Sequence, residues 1–78
     1  MRLYDGTEVY VGDTIALVEH GETAKIVANL SSNVAIDGFP INNWAGYSTG
    51  ILLELASGEI VMVDEIDEDM ILVHRSRP

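Results

Sequence analysis

Apolar positions along this chain come in short runs, and turn-forming residues fill the gaps between them. Thr14–Glu19, "TIALVE", sets Ile15 and Leu17 against Thr14, Ala16 and Val18, the two-residue period of a strand. His20-Gly21-Glu22 predicts a tight turn, and Thr23–Leu30, "TAKIVANL", returns as the paired strand with Ala24, Ile26, Ala28 and Leu30 on one face. Ala, Lys and Leu in that segment also suit a helix. The preceding Gly, the β-branched Ile26 and Val27 and the short length favour the strand. Gly50–Leu55, "GILLEL", is nearly all apolar and predicts a central strand. Ala56-Ser57-Gly58-Glu59 closes a hairpin, Ile60–Val63 is its return, and Met70–His74, "MILVH", is the last strand. Asp67-Glu68-Asp69 predicts a single helical or 3₁₀ turn before it. At the start, the hairpin dipeptide Asp5-Gly6 joins Leu3–Tyr4 to Thr7–Val11 in a small ribbon, and Gly12-Asp13 breaks the chain. The tail "RSRP" is expected to fray.

About five short strands at this spacing predict an all-β domain, and they can close into a small barrel filled with side chains. Closure would remove most exposed edges. One segment breaks the rhythm. Ser31–Thr49, "SSNVAIDGFPINNWAGYST", is long for a structureless loop in so small a domain. Val34–Ile36 and Phe39–Ile41 flank Asp37-Gly38, so an extra hairpin is expected there, with Pro40 at an edge position.

Length changes the picture first. The 78 residues allow one small domain with no internal boundary, residues 1–78, marginal unless it packs well or finds a partner. At 47% hydrophobic, it is not a disordered acidic tail. Charge changes it next. Thirteen acids against four bases give a formal net charge of -9. That argues against nucleic acid and against an anionic membrane as direct ligands, because both require clustered Lys and Arg. A cationic partner is the positive expectation, with plain solubility as the competing account. The absence of Cys excludes disulfides, thiolate metal sites and Cys nucleophiles. "MRLYDGTEVY" has no apolar core of a signal peptide, and no run approaches the ~20 residues of a membrane span. A cytoplasmic protein is the simplest expectation.

The segment Val11–Val27, "VGDTIALVEHGETAKIV", resembles the opening of SH3-like barrels of the KOW and Tudor-like kind. The later "ILLELASGEIVMVDEIDEDMILV" is similar to their second half: strand, "S-G" turn, strand, short helical turn, last strand. The resemblance covers most of the chain outside the insert. It implies a small antiparallel barrel, and a binding role toward RNA, ribosomal surfaces, peptides or other proteins. The nucleic-acid-binding versions are basic on their loops, whereas here the loops carry Glu19, Glu22, Asp37, Glu59 and Asp64–Asp69. In charge alone, the chain also resembles bacterial immunity proteins and phage-encoded inhibitors that cover a basic enzyme.

Two groups of residues are candidates for function. The first is the acidic run Asp64, Glu65, Asp67, Glu68 and Asp69 around Ile66, which is expected to be the buried anchor of the segment. A calcium loop needs alternating oxygen ligands, an internal Gly and a closing bidentate Glu; this run lacks the last two, so no metal is expected. The acids can instead cap the local turn or steer a cationic partner. The second group is aromatic. Phe39, Trp44 and Tyr47 fall within the insert, where they either cap the barrel or serve as interface anchors. No nucleophile elbow, P-loop or dinucleotide-binding glycine pattern is present, so neither a catalytic residue nor a cofactor is expected.

These readings converge on a non-enzymatic acidic protein-interaction module. Its acidic run would attract a basic protein partner, and Trp44, Tyr47 and Phe39 would supply apolar contact. In a bacterial or phage setting this describes an inhibitor or immunity protein. The alternative is a self-associating structural or accessory protein, such as a homodimer, whose acids serve solubility and whose apolar insert is buried between copies.

Overall fold

A computed structural model describes residues 2–18, 21–44, 46–64 and 68–75. Six antiparallel strands form one sheet: β1 (Thr14–Leu17), β2 (Glu22–Asn29), β3 (Val34–Ala35), β4 (Ile51–Leu55), β5 (Ile60–Val63) and β6 (Met70–His74). The order across the sheet is β5-β4-β2-β1-β6, and β3 pairs with β2 off that path. Five of these are the strands expected from the sequence, with ends shifted by a residue or two. Among the described residues no ladder joins β5 to β6, so the sheet is open and the expected closure into a barrel is absent.

Glycines make the sharp connections. The opening ribbon exists in reduced form, as a single bridge Arg2↔Glu8. The Asp5-Gly6 turn is closed by the Leu3 amide donating to the Thr7 carbonyl at 2.8 Å. The Asp5 carboxylate accepts from the Thr7 amide at 2.9 Å. That bond holds the Asp5 carboxyl below its ordinary pKa of 3.8. In the β4–β5 hairpin, Gly58 takes the left-handed conformation at φ 93°, and the Leu55 amide donates to the Glu59 carbonyl at 2.9 Å.

The long strand β2 is the hub. One side pairs with β4, in a ladder from Ala24↔Leu55 to Asn29↔Ile51 with a bulge at Val27. The other side is shared. β1 takes the first half of it, and β3 takes the end through Ala28↔Ala35 and Asn29↔Val34. The sequence signal for a hairpin around Asp37-Gly38 is therefore half right. The turn is there, with the Phe39 amide donating to the Ile36 carbonyl at 3.1 Å. Phe39–Ile41, however, forms no strand beside β3. Pro40 cannot donate to a ladder, and its fixed φ suits a helical start, so Ile41–Trp44 winds into a 3₁₀ turn instead. β3 finds its partner in β2.

Two apolar clusters hold the sheet from opposite faces. The main one packs Leu3, Val9, Ile15, Ala24, Ile26, Ile51, Leu53 and Met70, with Leu17, Leu55, Val61, Val63 and Leu72 around it. The second is Val27, Ala28, Leu30 and Leu52, roofed by Ile36, Phe39, Ile41 and Trp44 from the insert. Leu52 and Leu53 are adjacent and both are fully buried. Since neighbours in a strand face opposite ways, β4 is covered on both faces, which is why "GILLEL" is apolar throughout.

Candidate functional site

The acidic run starts where β5 ends. Asp64 is exposed and leans over Gly50, and a Cβ on Gly50 would stand 3.1 Å from Asp64 Oδ1. Glu68 is exposed and Asp69 half-buried, and both lie in the turn leading into β6. The Asp69 carbonyl accepts from the Val18 amide at 3.2 Å, which extends the β1–β6 ladder by one step. Glu65, Ile66 and Asp67, and with them the expected anchor and part of the expected helical turn, lie outside the described residues.

Gly50 ties this acidic end of β5 to the aromatic insert. Tyr47 is only three residues before Gly50, so their Cα atoms are within about 11 Å of each other. The Tyr47 amide donates to the Trp44 carbonyl at 3.0 Å. The rings of Trp44 and Tyr47 meet at a centroid distance of 5.8 Å, tilted by 46°. The three aromatic candidates are not equivalent. Phe39 and Trp44 are half-buried against the second cluster, on the face of the sheet opposite the main core. Tyr47 is 51% exposed. Of the three, Tyr47 is thus the exposed ring, backed by Trp44 and three residues in sequence from Gly50.

Cations are scarce, and two of the described ones pair within the chain. Arg2 pairs with Glu8 at 3.4 Å, and Arg75 with Asp13 at 3.6 Å. Lys25 stands opposite Glu54 across β2 and β4. Exposed carboxylates at Glu22, Asp37, Glu54, Glu59, Asp64 and Glu68 dominate the described surface. Among the described residues, no group of three or more His, Asp or Glu side chains stands close enough to hold a metal ion. Among them also, no helix is long and apolar enough to cross a membrane.

Sequence reasoning passed over one important residue. Asp13 seemed only to break the chain, yet its side chain is buried, at 1% exposure. Its Oδ2 accepts from the Tyr10 amide at 2.9 Å, while its own amide donates to the Tyr10 carbonyl at 3.0 Å. Its carbonyl accepts from the Ile26 amide at 2.9 Å. One residue therefore closes the turn before β1, joins it to β2 and meets Arg75 beyond β6. The signal was the spacing of Gly12-Asp13 just before a strand, where Asp side chains fold back onto nearby amides.

No protein-family model, curated protein or solved structure matches this chain.

Proposed function

We propose that this chain is a non-enzymatic acidic interaction module with an open, SH3-like sheet, and that it binds a basic protein partner. The observation that carries the reading is exposed Tyr47, packed on Trp44 and three residues before Gly50, over which Asp64 leans. An aromatic ring offers buried area with few rotors, and carboxylates around it steer a cationic surface toward it. The strand order supports the fold part of the reading: β2, β4 and β5 make a meander, and the last strand returns beside the first. Within this reading Asp64, Glu65, Asp67, Glu68 and Asp69 supply attraction, and Tyr47 supplies apolar contact. Trp44 and Phe39 support Tyr47 from the second cluster. An inhibitor or immunity protein of bacterial or phage origin, covering the cationic face of an enzyme, is the form of module that this charge suits.

The test is capture from lysate on immobilised protein, eluted by a salt gradient. It is run beside a variant with Asp64→Asn, Glu65→Gln, Asp67→Asn, Glu68→Gln and Asp69→Asn. The expected result is a basic protein that elutes with salt and is lost from the variant. Equal retention on the variant would show that the acids are solubility charge, and the reading would fall.

A further inference from the structure

The two outer strands of the open sheet differ in a way that singles out one of them. β5 pairs only with β4 and β6 only with β1, so each presents one side with no strand beside it among the described residues. Such edges recruit other strands unless charge or Pro blocks them. Neither strand has that protection: β5 is Ile-Val-Met-Val, and β6 is Met-Ile-Leu-Val-His. On β6, Leu72 packs toward the main core, while Ile71 and Val73 on either side of it are 43% and 53% exposed. Val18, next to the start of β6, is 58% exposed.

Flanking charge separates the two edges. β6 runs from acid to base, with Glu68 and Asp69 before it and His74 and Arg75 at its end. Antiparallel pairing of two β6 strands in a register centred on Leu72 sets Asp69 opposite Arg75, Met70 opposite His74 and Ile71 opposite Val73. Asp69 then faces the half-exposed Arg75, which also pairs with Asp13 of its own chain, at both ends, and exposed apolar side chains face each other between them. β5 has acids at both ends, Glu59 before it and Asp64 after it, so its self-pairing would oppose like charges.

We propose that the β6 edge binds the β6 edge of a second copy of this chain, related by a two-fold axis, so that one sheet runs through the pair. A two-fold contact uses the same patch twice and closes, which caps both copies. The inference does not depend on the acidic run binding a foreign partner, because a variant of Ile71 leaves that run intact.

Sedimentation equilibrium of the full chain, from low micromolar to near-millimolar concentration, tests it. Wild type is expected to dimerise. Ile71→Lys places like charges across the contact and removes two Ile71–Val73 pairs; dimerisation is expected to weaken on the order of tenfold or more. Asp69→Asn, which removes the acid set opposite Arg75, is expected to weaken it. Met62→Lys, on the β5 edge, is expected to leave it unchanged. Ile71 is exposed, so an unchanged urea midpoint at a concentration where both chains are monomeric confirms that the fold is retained. A wild type that stays monomeric throughout, an Ile71→Lys chain that dimerises like wild type, or loss of the dimer in Met62→Lys would each overturn the proposal.

Discussion

Gly50 carries a strict local requirement. Its φ is +103°, where L side chains rarely sit, and a Cβ there would stand 3.2 Å from the Val63 carbonyl oxygen as well as 3.1 Å from Asp64. Its own carbonyl accepts from the Leu30 amide at 2.9 Å, so the backbone is not free to rotate away. Gly50→Ala should therefore destabilise the fold by about 1–3 kcal/mol. Gly6 has a comparable φ of +92° but open space around it. Gly6→Ala isolates the backbone strain, and the larger loss is expected at Gly50; equal urea midpoints for the two variants would refute the crowding. Asp13 makes a second demand. Asp13→Ala leaves the Tyr10 amide without the carboxylate that accepts from it and Arg75 without its partner. The half-exposed Arg75 can turn to water, so the loss comes mainly from the turn, about 1–3 kcal/mol by urea unfolding. Arg75→Ala should cost distinctly less than Asp13→Ala. The reverse ranking would mean that the ion pair, rather than the turn, matters.

At the scale of elements, the insert behaves as a roof. Leu52 and Leu53 are both at 0% exposure, but they face opposite clusters. Truncating either to Ala should cost about 2–5 kcal/mol, because each leaves a cavity in a closed environment. Were the insert free to leave the sheet, Leu52→Ala would cost far less than Leu53→Ala, and chemical denaturation decides between these outcomes. Trp44, the chain's single Trp, reports on the same roof. Its fluorescence transition should coincide with the far-UV circular dichroism transition if both clusters melt together. The strands were legible in the sequence because a half-buried strand writes its period into its residues, as in Ile15 and Leu17 of β1. The roof was less so. Asp37-Gly38 signals a turn, but whether the next residues pair depends on a distant vacancy along β2, and a local pattern cannot encode that. For the same reason closure into a barrel was not legible, since it depends on how far the sheet curls. In the candidate site, the acidic run was visible as a run. That Tyr47 is exposed while Phe39 and Trp44 are packed on the second cluster followed only from which face the insert covers. The burial of Asp13 left no hydrophobic trace at all.

At the scale of the whole molecule, charge sets opposing responses to salt. The formal net charge is -9, and Arg2 and Arg75 already face acids within the chain. The remaining carboxylates repel one another across a small surface, and the folded state gathers them closer than the unfolded chain does. Screening that repulsion should raise the urea midpoint as sodium chloride increases toward a few tenths molar, where the Debye length drops below about 10 Å. Attraction to a basic partner, and the Asp69–Arg75 contacts proposed between two β6 strands, should weaken over the same range. The two trends have opposite signs, so they can be read on one protein. Stability that rises with salt while association falls is the expected pair of outcomes. A midpoint that falls with salt would mean that the internal pairs, Arg2–Glu8 and Arg75–Asp13, outweigh the repulsion. Association that grows with salt would mean that apolar contact through Ile71, Val73 or Tyr47, with repulsion between acidic copies screened, outweighs the attraction between opposite charges. The concentration series at fixed salt then tells self-pairing from partner binding, because only the former changes with the amount of this chain alone.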